Sequence, residues 1–503
     1  MSGGKENASL RHEAMRRPHG RLAILAAGFL SLVACVPNAD RVDAALDVPE
    51  GYRAAPRGAA DAALPPLDWW RGFKSSELTA LIEEAQTVNL DIAAAAARIS
   101  QADAQARVAG AALLPLVDAN GSGTHSRSSA ATGGGGAGGF RREGNLYQAS
   151  LTASYEIDFW GKNRALLEAT RDTAVAKRFD REVVALSTVA SVANAYFLVL
   201  AAQDRLQLAR DNVKSATRIL NLIKQRLEFG TTSGLEVAQQ ESLVGQQLAL
   251  IPPLTQLLRQ NIVTLALLIA RPPERVNVRG GSMQRLAIPR VTPGLPSDLI
   301  TQRPDIREAE ANLAVAKANV YAARAAFLPS ILLTGQDGFS STILRSLFRP
   351  EAVLFSAAAS LTQPIFDGGM LLGQLELKKG LQEELLQAYR KAVISGFADV
   401  DSALIAVEQT ALTERADRAV VTSARKAFDI AETRLREGTV DLVTVLQTQQ
   451  TLFQAQDALA QARLQRLQAI VSLYQALGGG WPPPEAQLYA TADPANPWGN
   501  IRP

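Results

Sequence analysis

Tyr147-Gln148-Ala149-Ser150-Leu151-Thr152-Ala153-Ser154-Tyr155-Glu156-Ile157-Asp158-Phe159 alternates without a break. Tyr147, Ala149, Leu151, Ala153, Tyr155, Ile157 and Phe159 fall on one face. Gln148, Ser150, Thr152, Ser154, Glu156 and Asp158 fall on the other. A helix of about 3.6 residues per turn mixes two such sets, whereas a strand separates them. The run is close to the ~9–11 residues that a tilted strand needs to cross a bilayer. Its apolar face suits lipid and its polar face suits an aqueous lumen.

Working outward, a partner strand is predicted at Leu116–Thr124, where Asp118, Asn120, Ser122 and Thr124 form the polar face. The stretch Gly133–Gly139 is then the loop between the two strands. Ser330–Gln336 and Val353–Gln363 repeat the arrangement, with Ser340–Pro350 as their loop. Four strands cannot close a transmembrane barrel, because the smallest have ~8. An open edge in lipid leaves backbone groups with no partner. The chain must therefore share a barrel with copies of itself. Two copies would make a narrow cylinder filled by side chains, and three copies make twelve strands around an open lumen. A trimer is expected.

Between the strand pairs the sequence is helical. From Trp160-Gly161 to Phe229 there is no proline. Leu206, Ala209, Val213, Ala216, Leu220, Ile223 and Leu227 form a heptad seam, repeated by Val421, Ala424, Phe428, Ala431 and Leu435. Return helices are expected through Leu235, Ala238, Leu243 and Leu248, and through Leu442, Val445, Thr448 and Leu452. Short connections make each pair an antiparallel hairpin with a glycine turn at its tip.

The hairpins expose an internal duplication. Arg226-Leu227-Glu228-Phe229-Gly230-Thr231 returns as Arg434-Leu435-Arg436-Glu437-Gly438-Thr439, 208 residues later. Asp158-Phe159-Trp160-Gly161 is echoed by Ile365-Phe366-Asp367-Gly368, and Leu114-Pro115 by Leu328-Pro329, 214 residues later. A unit this long is a half-domain, not a solenoid repeat. The first repeat is placed at 67–290, with a helix, a β-hairpin at 115–159 and a helical hairpin at 161–270. The second is placed at 291–480, with a helix, a β-hairpin at 328–364 and a helical hairpin at 369–477. A tail follows at 481–503.

Composition narrows the function. Lys and Arg number 52 and Asp and Glu 49, a balance that implies no nucleic-acid partner. Only His12, His19, His125 and Cys35 are available for imidazole or thiol chemistry, so a catalytic triad or zinc site has little material. No metal, cofactor or catalytic residue is expected, and the chain is not read as an enzyme. At the N-terminus, Arg16-Arg17-Pro18-His19-Gly20-Arg21 precedes an apolar run from Leu22 to Ala34, too short to span a bilayer as a helix. It ends Leu32-Val33-Ala34-Cys35, which resembles a bacterial lipobox. Residues 1–34 are then a lipoprotein signal peptide, Cys35 is the acylated (palmitate-bearing) residue, and 35–66 is a tether. Val36, rather than Asp, after the cysteine favours the outer membrane.

Several motifs together resemble the TolC-like outer membrane factors, specifically the NodT-type lipoproteins that serve resistance-nodulation-division efflux pumps. They are Asp68-Trp69-Trp70 with Leu78 and Leu81, Ala111 through Pro115, and Glu156-Ile157-Asp158-Phe159-Trp160-Gly161. Gly294-Leu295-Pro296-Ser297-Asp298-Leu299, Arg303-Pro304-Asp305-Ile306, Ala323 through Pro329, and Pro364-Ile365-Phe366-Asp367-Gly368-Gly369 complete the set. The resemblance implies a mixed α/β membrane protein: a trimeric twelve-stranded β-barrel in the outer membrane, continued by a periplasmic α-barrel. It implies a passive exit duct for drugs and toxic compounds, partnered by a periplasmic adaptor and an inner-membrane pump. It also implies tips that meet the adaptor through Arg226, Leu227, Gly230, Arg434, Leu435 and Gly438, and an aperture near Asp441, Thr444 and Gln447. The family often has Asp where this chain has Thr444 and Gln447, which argues against a strongly cation-selective gate. A simple helix-cap role accounts for Asp441 equally well. Other readings are a type I protein-secretion channel and a lipid-anchored periplasmic coiled coil.

Overall fold

The computed structural model describes residues 52, 65–127, 143–289, 291, 296–479 and 481. The signal peptide with Cys35, most of the tether, the Gly133–Gly139 loop and the tail beyond 481 lie outside the described residues.

Helix α1 (Ser76–Val88) and α2 (Leu90–Ala111) lead to strands β1 (Leu116–Arg127) and β2 (Glu143–Ile157). Helix α3 (Lys162–Glu228) then runs to the first tip, and α4 (Gly234–Ala249) and α5 (Ile251–Leu268) return from it. The second repeat follows with α6 (Pro296–Gln302), α7 (Pro304–Ala325), β3 (Ser330–Ser341), β4 (Val353–Thr362), α8 (Met370–Arg436) and α9 (Leu442–Ala476). The duplication is visible in lengths. Helices α2 and α7 each have 22 residues, and α3 and α8 each have 67. At 1.5 Å per residue the long pair reaches roughly 100 Å.

All four strands lie in one antiparallel sheet, ordered β1-β2-β3-β4. Register keeps like with like: Asp118 faces Thr152, Asn120 faces Ser150, and Thr152 faces Gln336. Asn120 Nδ2 donates to Thr152 Oγ1 at 2.9 Å, and Gln336 Nε2 to Ser150 Oγ at 3.1 Å. The opposite face carries Leu151, Ala153, Tyr155, Leu333, Phe355 and Leu361. Asp337 interrupts it, set between Leu151 and Phe355. β3 extends five residues beyond the predicted Gln336, because its pairing with β2 continues to Ser341. β2 stops at Ile157, so Phe159 lies past the strand and is exposed.

Helices continue the strand order. In the half next to the sheet the neighbours run α2-α3-α7-α8; in the far half they run α4/α5-α3-α9-α8. Each long helix starts at a left-handed glycine with an aspartate cap. Gly161 has φ +78°, and Asp158 accepts from the amides of Asn163 and Arg164 at 3.0 and 2.8 Å. Gly369 has φ +87°, and Asp367 accepts from the amides of Gly369 and Leu371 at 2.9 and 2.8 Å. The structural counterpart of Gly161 is therefore Gly369, not Gly368. A positive φ costs glycine nothing and other residues strain.

The main core lies midway, where Trp69, Phe73, Leu78, Ile82, Phe197, Leu265, Met283, Ile470 and Tyr474 are buried together. Trp69 stacks on Tyr474 at 4.7 Å. Part of α3 is apolar and long enough to cross a bilayer, but more than half of that stretch is buried here. Its apolarity serves the core. Glu414 joins α8, α9 and the loop after α5. Its side chain is 2% exposed and binds Arg418, Arg463 and Arg466 at 2.8, 3.2 and 2.7 Å. Arg463 also donates to the Leu286 carbonyl at 2.8 Å.

Two helical expectations need correction. The predicted return seam Leu235, Ala238, Leu243, Leu248 is buried only at Leu243: Gln240 and Gln247 are the other buried positions, while Leu235, Ala238 and Leu248 are exposed. The return helix is also broken at Leu250. Pro252 and Pro253 have no N–H to continue α4, and they sit in the first turn of α5, where that loss is tolerated. Likewise the α3 seam drifts onto Asn212 and Ile219, leaving Leu227 exposed. A straight α-helix precesses relative to a strict heptad.

Candidate functional site: the hairpin tips and the pore wall

The repeated tip hexapeptide is a helix stop. Gly230 (φ +68°) and Gly438 (φ +76°) take the left-handed conformation. The amides of Thr231 and Thr439 each return 2.9 Å to the carbonyls of Arg226 and Arg434. Their hydroxyls bond the same carbonyls at 3.0 and 3.2 Å. Such a six-to-one bond marks a Schellman ending and explains why Arg, Gly and Thr recur at fixed spacing. New helices start at once. Ser233 and Glu236 form a capping box, and Asp441 caps α9 by accepting from the Thr444 amide at 2.8 Å.

The fold brings the two tips together. The Arg226 guanidinium lies 3.4 Å from where a side chain on Gly438 would begin. Arg434 and Leu227 are exposed, but Leu435 is 1% exposed and belongs to a second core with Phe428, Leu442 and Val445. Of the six tip residues, Leu435 thus shapes the turn from inside. Sequence reasoning missed Phe229, which is 82% exposed beside Gly230, and Val443. The available signal was an aromatic residue in a helix-capping turn, where no core can reach it.

Of the residues expected at an aperture, Asp441 and Thr444 are bonded to each other, while Gln447 is exposed and nearly a full turn further along α9. Hydrogen bonds from the Thr444 side chain and amide hold the Asp441 carboxyl below its ordinary value, so it is charged at neutral pH. Above the tips, polar ties join the hairpins. Arg218 binds Glu432 at 2.8 Å, and Arg205 grips Asp457 through two bonds of 2.6 and 3.1 Å. Gln240 and Gln449, both fully buried, meet at 3.4 Å.

A sheet with one polar face and two unpaired edges, continued by helices in the same lateral order, is a sector of a tunnel wall. That architecture defines an outer membrane channel of the TolC type. A family model described as outer membrane efflux protein matches residues 81–271 and 295–479, one stretch in each repeat, and the chain belongs to that family. The pyoverdine export outer membrane protein OpmQ of Pseudomonas putida is 39% identical over 90% of this chain and 96% of its own length. The toluene efflux pump outer membrane protein TtgC of Pseudomonas putida is 32% identical over 86% of this chain and 89% of its own. Among solved structures, the open state of the Neisseria gonorrhoeae MtrE outer membrane channel superposes with a TM-score of 0.78 at 29% identity, covering 87% of this chain and 96% of that one. This chain is an outer membrane channel of an efflux pump, and its family does transport rather than chemistry.

Proposed function

We propose that three copies close edge to edge into one duct that passively exports small molecules delivered by an inner-membrane pump through a periplasmic adaptor. The observation that carries this is the pair of unpaired sheet edges, β1 and β4, flanking a polar face. Backbone groups at such edges have no partner in lipid unless another copy supplies one. Exposed Leu227, Phe229, Arg434 and Val443 at the adjoining tips make the adaptor surface. Cys35 is the acylated residue, the two repeats keep the bounds read from the sequence, and Asp441, Thr444 and Gln447 line the aperture. The test is the purified, detergent-extracted protein. It migrates as a heat-modifiable trimer and conducts ions in planar bilayers; a stable, non-conducting monomer overturns the reading.

A second reading of the cargo has its own support. The relative at 39% identity is named for export of pyoverdine, while relatives at 32% are named for toluene or antibiotic efflux. A deletion strain separates them: loss of pyoverdine from the medium favours the first cargo, and solvent or antibiotic sensitivity the second.

A further inference from the structure

The loop between β3 and β4, at the end of the sheet away from the helices, sets exposed apolar side chains beside two cations. Phe348 is 73% exposed, Leu344 61% and Ile343 51%. Arg345 and Arg349 are exposed among them, and neither forms an ion pair with a described residue. The loop has a fixed shape. Ser341 Oγ lies 2.9 Å from Ser346 Oγ and accepts from the Ile343 amide at 3.2 Å. Leu347 and Ala352 are buried, so the loop has an interior, and Phe348 is kept out of it.

The position of Phe348 says what covers it. Its ring meets Phe339 edge to face, with 5.5 Å between centroids. Phe339 lies opposite Ala149 and Val353, on the same face of the sheet as Leu151 and Phe355. β3 is an inner strand, so this contact stays outside when copies join at β1 and β4. The apolar patch thus continues the lipid-turned face past the last strand pairs, and an exposed patch of this kind marks a contact surface. Arginines at the rim of such a face stand at head-group level, where phosphate is the complementary charge. A guanidinium binds phosphate through two parallel N–H···O bonds. Apolar burial and cation–phosphate attraction act together in lipid recognition.

We propose that the β3–β4 loop binds a phosphorylated lipid of the outer leaflet, with acyl chains against Ile343, Leu344 and Phe348 and a phosphate held by Arg345 and Arg349. This rests on the export-duct reading, which turns the helices to the pump and this loop to the cell exterior. The purified trimer in dodecyl maltoside is titrated with diphosphoryl lipid A and with the same lipid stripped of its phosphates, and bound lipid is counted by native mass spectrometry. Wild type binds the phosphorylated form about tenfold more tightly. Arg345→Gln with Arg349→Gln removes that preference, Arg345→Lys with Arg349→Lys restores part of it, and Phe348→Ser weakens both lipids alike. Equal binding of the two lipids by wild type, or an undiminished preference in the glutamine variant, overturns the proposal. Displacement of the lipid by inorganic phosphate alone also overturns it, since the loop would then be a free-anion site. So does shielding of Leu344→Cys from a water-soluble maleimide by a second trimer but not by the lipid, which would make the loop a contact between copies. Planar-bilayer conductance of the same preparations separates the two readings. A wild type that does not conduct counts against the duct, whereas a conducting glutamine variant with unchanged lipid binding counts against the loop alone.

Discussion

Glu414 shows how one side chain couples three segments. Burial alone would raise its pKa, but the hydrogen bond from Arg466 and the charges of Arg463, Arg466 and Arg418 outweigh this and hold it below the ordinary 4.5. Glu414→Gln leaves those guanidiniums without their counter-charge. Because Arg418 and Arg466 reach solvent, the expected loss is about 2–3 kcal/mol rather than that of a fully buried pair. The sign with pH follows from the depressed folded pKa. The ionised carboxylate stabilises fully above the unfolded pKa, and that stability is lost as pH falls through the folded one. Thermal unfolding should therefore show a constant gap between wild type and variant at neutral pH that closes below about pH 4.5. Asp441 is a cleaner case for function. Asparagine caps a helix as well as aspartate, so Asp441→Asn removes charge and keeps α9. Three copies around an aperture make an anionic ring, and bilayer recordings should show reduced cation preference in the variant. Unchanged selectivity would leave Asp441 as a cap only.

Hairpins show where periodicity suffices and where it fails. Along the predicted α8–α9 seam Ala424, Phe428, Ala431, Leu435, Leu442, Val445 and Leu452 are buried, and Val421 and Thr448 are half-buried. The α4 seam was misjudged because its buried positions include Gln240 and Gln247, which apolar counting skips. The glycines were legible as turn residues, and the threonine bonds beside them explain why a hexapeptide and not a lone glycine is repeated. Gly438→Val forces a β-branched residue into the left-handed region, at a cost of ~1–2 kcal/mol. Amide exchange should rise over 434–446 while the midway core stays protected. If the tips hold the adaptor, co-purification should fall in parallel; intact co-purification would separate the turn from docking.

For the whole molecule, alternation in β2 was enough to foresee a membrane sheet, and duplication was enough to foresee its second half. Asp337 tests the orientation of that sheet. On the face with Leu151 and Phe355 it meets lipid in the closed barrel, where a carboxylate is unfavourable. Asp337→Leu should stabilise the trimer by on the order of 1–2 kcal/mol per protomer, read as a higher temperature of heat dissociation. A lower temperature would mean that this face is not the lipid face. The sequence by itself determined the elements, their two-fold repetition and the need for further copies, since each follows from local periodicity, glycine chemistry and the rule that lipid tolerates no bare edge. Only the tertiary structure decided that Arg226 sits beside Gly438, that Glu414 gathers three arginines and that Gln240 meets Gln449. Those are relations between residues up to about two hundred positions apart, set by how helices cross, and no local pattern encodes them.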